Sequence, residues 1–123
     1  MLDSPKELEL LNALQSAEKS GEATTIEGAV SNLALYYVAT NQFLPAVPFW
    51  RRGASILAQS TAPDSRELAT YLHNMAADCL IPAGLYDEAR VTLLRAKEIY
   101  ARHFHGDTQF VRHIDELLLQ INI

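Results

Sequence analysis

Small and aromatic residues in this chain return to register when the sequence is shifted by 43 positions, and that repeat most narrows what it can fold into. Ala34 falls on Ala77, Ala46 on Ala89 and Gly53 on Ala96, while Phe43 falls on Tyr86, Ile56 on Ile99 and Asp64 on Asp107. A small residue recurring at a fixed place suits a close helix crossing, because a larger side chain would push the axes beyond the usual ~8–10 Å. Phe43, Trp50, Tyr86 and Leu93 are placed to fill the gaps beside such crossings. Asn32 and Asn74 stand 42 apart, one short of the common spacing.

The elements joined by this repeat read as helices throughout. No segment alternates apolar and polar residues as a half-buried strand does, and no Asn-Gly or Asp-Gly turn separates β-branched runs. Six helices are predicted. The first covers about 5–19, with Ser4 as its cap, Pro5 in the first position and Gly21 just beyond its end. The second runs from about Thr24 to Thr40, with Thr24 and Glu27 at capping-box spacing. The third covers 44–59 and carries Pro45 and Pro48 near its start, Pro48 being placed to distort it. Ser60-Thr61-Ala62-Pro63-Asp64 reads as a loop. The fourth helix covers 65–80 and is stopped by Pro82 and Gly84; the fifth covers 86–104 and ends in a turn at His105-Gly106. Asp107 is the expected cap of a sixth helix reaching about Ile121.

Composition excludes several classes. With 123 residues, 49% hydrophobic and 20% charged, the chain can bury a core and is not expected to be disordered. A formal charge of -5 argues against a nucleic-acid partner, which would call for a basic stripe. No run approaches the roughly 18 apolar residues of a membrane span, so no membrane partner is expected. The N-terminus has neither the basic start nor the apolar core of a signal peptide. The lone Cys79 cannot form an internal disulfide, which fits a reducing compartment. A cytoplasmic location is the expectation.

The stretch Asn32-Leu33-Ala34, Tyr37, Phe43, Ala46, Trp50, Gly53 resembles a tetratricopeptide repeat, and Ala77, Leu80, Gly84, Tyr86, Ala89, Leu93, Ala96 resembles a second. The long spacing and the segment from Pro63-Asp64 to Met75-Ala76 are closest to the variant found in kinesin light chains. The resemblance implies one all-α domain over 1–123, built as a right-handed superhelix of antiparallel helix hairpins. A cap helix would occupy 1–21, repeats 22–62 and 63–105, and a C-terminal helix 106–123. Asp3 and Glu7 stand where a small residue and an aromatic would be expected, which marks the first helix as an adapted cap.

The resemblance further implies a protein-interaction module, an adaptor or scaffold whose first helices line a concave groove for a peptide or a partner's helix. By register, the groove residues would be Ser31, Leu35 and Val38, then Tyr71, Asn74 and Asp78, then Leu117. Asn32 and Asn74 can pair with a peptide backbone through their amides, or be satisfied by hydrogen bonds within the repeats. Members that grip a C-terminal carboxylate use cations on this face. Here the matching positions hold Ser31, Leu35, Asn74, Asp78, Leu117 and Ile121, without the charge needed for that grip. The C-terminal helix offers an alternative function. Ile114, Leu118 and Ile121, with Leu117, Leu119 and Ile123, make it apolar on more than one side, as a homo-oligomerisation surface or as an unusually wide packed face.

Chemistry-bearing groups suggest no enzyme. His103 and His105 are two apart and do not share a helix face, and His113 is joined by no cysteine or carboxylate pattern of a zinc site. His73 is six residues from Cys79, which points it to a different side of a helix, so Cys79 reads as a small buried hydrophobe. Neither a glycine-rich phosphate loop nor a nucleophile elbow is found. Catalysis, metal and cofactor are therefore not expected.

Overall fold

Helix boundaries fall where the chain supplies partners for end groups that a helix leaves unsatisfied. The computed structural model describes residues 4–60, 64–103 and 108–122. Its helices are α1 (Pro5–Ser20), α2 (Ala23–Ala39), α3 (Phe43–Ser60), α4 (Arg66–Met75), α5 (Tyr86–His103) and α6 (Gln109–Ile121), with a π-helical turn, Ala76–Leu80, continuing α4. No strand occurs among the described residues, so the all-α class stands. The chain divides into two compact units, Met1–Ser60 and Thr61–Ile123. In the first, α1 and α3 both pack on α2; in the second, α4 and α6 both pack on α5.

Two helix-end residues of α1 match the sequence reading. Ser4 Oγ accepts from the Glu7 N–H at 3.0 Å; Ser65, expected inside the fourth helix, instead caps it, its Oγ accepting from the Leu68 N–H at 3.1 Å. Gly21 ends α1 at φ 72°, a left-handed conformation that glycine adopts without penalty, and its N–H reaches the Ala17 and Glu18 carbonyls. Two expected caps are corrected. Thr24 lies inside α2 behind Glu22, which caps without a side-chain bond, and Glu27 accepts from Ser31 Oγ instead of closing a capping box. Thr108 caps α6, its hydroxyl accepting from the Val111 N–H at 3.3 Å. Asp107 lies outside the described residues, as do Phe104, the His105-Gly106 turn and positions 61–63 of the expected loop.

The two units share one turn design. Asn41 sits at φ 61° and Gly84 at φ 80°. Gln42 N–H donates to the Tyr37 carbonyl and Asn41 N–H to that of Val38; 43 residues on, Leu85 N–H donates to Leu80 and Gly84 N–H to Ile81. Each is a Schellman closure, which satisfies the last carbonyls of one helix and reverses the chain into the next. Pro82 and Gly84 thus stop the fourth helix as expected.

Burial explains why the spacing is 42 in one place and 43 in another. The buried residues of α2 include Val30, Leu33 and Ala34; those of α4 and the π-turn include Leu72, Met75 and Ala76, each 42 positions later. Beyond the π-turn the spacing is 43: Ala46 matches Ala89, Trp50 matches Leu93, and buried Gly53 matches Ala96. An i→i+5 bond, Ile81 N–H to the Ala76 carbonyl at 3.0 Å, closes the π-turn, which takes up one extra residue without breaking the helix. Ala77 is consequently only half-buried, and Ala76 is the counterpart of Ala34. The expected equivalence of Ala34 with Ala77 is corrected by that single residue.

Candidate functional site

The first unit presents one face of α2. Ser31, Leu35 and Val38 lie at i, i+4 and i+7, a spacing that puts them on one side of a helix. Leu35 is 54% exposed, whereas Ser31 and Val38 are half-buried. The opposite, packed side of α2 is anchored by Tyr37, whose hydroxyl donates to Glu7 Oε2 at 2.6 Å. Burial first, and then the bonded Glu7 carboxylate, push the Tyr37 phenol up to about 12. Glu7, out of place for a repeat helix, thus works as the anchor of α1 on α2.

The second unit presents α4 and its π-turn. Tyr71, Asn74 and Asp78 lie at i, i+3 and i+7; Asn74 and Asp78 are exposed and Tyr71 is half-buried. Asn32 and Asn74 are both exposed, and neither side chain forms a hydrogen bond to another described residue. Partial burial raises the Asp78 carboxyl above its usual range, while the nearby His113 pulls it the other way.

Leu117, expected beside these residues, is buried at 8% exposure and belongs to the packing of α6. Ile114 and Ile121, expected at a self-association surface, are buried as well, at 0% and 6%. Their 3.6-residue stripe faces inward, and the apolar surface left outside consists of other residues. Leu119 is 75% exposed, Leu94 on α5 is 50% exposed, and Leu118 is half-buried. These three line an open hollow of about 520 Å³ between α5 and α6, with Arg90, Lys97, Asp115 and Asn122 at its rim. Lys97 Nζ and Asp115 Oδ1 close one side at 2.7 Å.

Sequence reasoning did not pair His73 with His113. Their side chains meet between α4 and α6, His73 Nε2 lying 2.7 Å from His113 Nδ1. His73 is 7% exposed and meets the Tyr100 ring in a T-shaped contact at 6.0 Å; Phe110 stacks on Tyr100 at 5.2 Å. Tyr100 Oη donates to Thr70 Oγ1 at 3.2 Å. Burial first, then the neighbouring His113, holds the His73 imidazole below its usual 6.5. One signal was available: His73 follows Ala69 by four positions on the stripe that also carries Leu72 and Ala76, which marks it as inward-facing.

Cys79 is fully buried. Among the described residues no three His, Cys, Asp or Glu side chains gather as metal ligands would, and no helix is long and apolar enough to cross a membrane. His103 sits at the end of α5 with Nε2 2.6 Å from the Asp64 carbonyl oxygen, and His105 lies outside the described residues. Compared with known proteins, the chain matches no family model and no curated protein.

Proposed function

We propose that this chain is a protein-interaction module of the tetratricopeptide kind, binding a peptide or a partner's helix rather than catalysing a reaction. The observation that carries this reading is the recurrence, in both units, of one hairpin whose first helix exposes an asparagine. Each pairs buried small residues at the crossing with a Schellman turn, and each leaves an unengaged asparagine amide on its first helix. A free amide offers both a donor and an acceptor to an extended backbone. Tyr71 adds aromatic surface of the sort enriched at binding hot spots, and Leu35 adds exposed apolar surface. The partner is a polypeptide, not nucleic acid or membrane, in keeping with the charge of -5. A cytoplasmic adaptor is the cellular role proposed.

Capture of partners from lysate by the intact chain and by the Tyr71→Ala/Asn74→Ala double variant tests this. A partner lost by the variant supports the reading; every partner retained at equal affinity rejects the assignment of the face. A second reading, association with a second copy, is favoured by the exposure of Leu119 over the α5–α6 hollow. In that reading Leu118, Leu119 and Leu94 take the role first given to Ile114 and Ile121.

A further inference from the structure

We propose that the His73–His113 pair is a proton-operated clasp that closes α4 against α6 when neutral or singly charged and opens when both rings carry a charge. This goes beyond the partner reading and does not depend on it. A neutral imidazole has one N–H and one lone-pair nitrogen. At 2.7 Å, His73 Nε2 and His113 Nδ1 share one proton, one ring donating and the other accepting. A first added proton goes to an outward nitrogen and leaves this bond intact. A second removes the last acceptor, so that two N–H groups point at each other and two cations stand with ring centroids 4.8 Å apart. The contact between the two helices then becomes repulsive.

The surroundings decide which ring charges first. Asp78, from the π-turn, is raised first by burial and pulled back by the nearby His113, so the two side chains attract. One turn away on α6, Glu116 is the one further ionised group; one turn either way along α4, at Ala69, Thr70, Ala76 and Ala77, there is none. From α5, His73 meets the Tyr100 ring. Lys97 and Asp115 neutralise one another at 2.7 Å, and Asp115 lies about 200° around α6 from His113. His73, nearly buried, is therefore the ring that resists the second proton.

Opening is local. The α5 side of α6 keeps Lys97–Asp115, the bond from Arg90 Nη2 to the Ile121 carbonyl at 3.4 Å, and the buried Ile114 and Ile121. α6 stays on α5 while its edge against α4 comes free.

The test follows the imidazole ¹⁵N shifts of the intact protein from pH about 8 to about 4.5, across the range in which histidine titrates. Amide exchange protection of α6 relative to α5 is measured over the same range. The expected result is two separated titration steps. The second should coincide with about a tenfold loss of α6 protection, the factor that one pKa unit represents. In His113→Gln, which keeps a polar side chain without a titrating ring, α6 protection should stay flat. Both rings charged in the wild-type protein with α6 protection unchanged would overturn the clasp, as would an equal acid loss in His113→Gln. The wild-type measurement decides the matter even if the variant folds poorly.

Discussion

Tyr37 ties α1 to α2 through its bond to Glu7, and it fixes a pH window for the stability of the first unit. Its phenol titrates near 10 in the unfolded chain and at about 12 in the fold. The contribution is thus fully present below pH 10 and lost as pH rises toward 12, because only the unfolded state sheds the proton in between. Alkaline melts of Tyr37→Phe should therefore fall less steeply across that window than those of the native chain, by about 1–2 kcal/mol. An equally steep fall in both would remove the Glu7 anchor from the account. The small residues of the repeat make a sharper case. Ala46 and Ala89 are fully buried, so Ala46→Glu or Ala89→Glu should each cost about 3 kcal/mol or more, through bulk and unpaired charge together. Glu18→Ala loses only an exposed pair with Arg52 at 2.8 Å and should cost less than about 1 kcal/mol in the same denaturant titration. The alanines were legible in the sequence because bulk is excluded wherever helices cross. His73 was not, because its partner is 40 residues away and no local spacing joins them.

The π-turn at Ala76–Leu80 is the element that reconciles two repeat spacings. One extra residue in an α-helix would rotate everything after it by about 100° and turn the buried stripe outward. Widening a single turn absorbs the insertion, so Leu80 still reaches the core and Gly84 still meets its turn. Deleting Ala77 should consequently be tolerated, with a continuous α-helix and a change in stability within about 2 kcal/mol, whereas deleting Ala34 from the regular part of α2 should cost several times more. Thermal melts with helical signal compare the two. Equal damage from both deletions would mean that the π-turn is not the site of the insertion. The mismatch between Asn32–Asn74 and the other pairs was visible in the sequence, but where the chain would take up the extra residue was not. Backbone hydrogen bonding decides that, and any of several positions between Asn74 and Gly84 was equally open to pattern reading.

For the whole molecule, the test is whether the leucines left outside the second unit's core bring two copies together. Leu119→Glu places a charge over the α5–α6 hollow without touching buried Ile114 or Ile121. If copies associate there, light scattering should show the native mass falling to that of one chain in the variant, across a concentration range where a Kd of about 1–100 μM would be seen. A native chain that is already monomeric throughout removes the second reading. Helical periodicity and recurring small residues were enough, by themselves, to settle that the chain is all-α and that Ala34, Ala46 and Ala89 are buried, since both depend on spacing along one helix; at the π-turn Ala76 took the place expected of Ala77. Which face of α6 is buried, which residue caps it, and which two imidazoles meet depended on how the helices of the second unit come together. A stripe of Leu and Ile wider than one face has more than one way to turn inward, and only contact with α5 chooses among them.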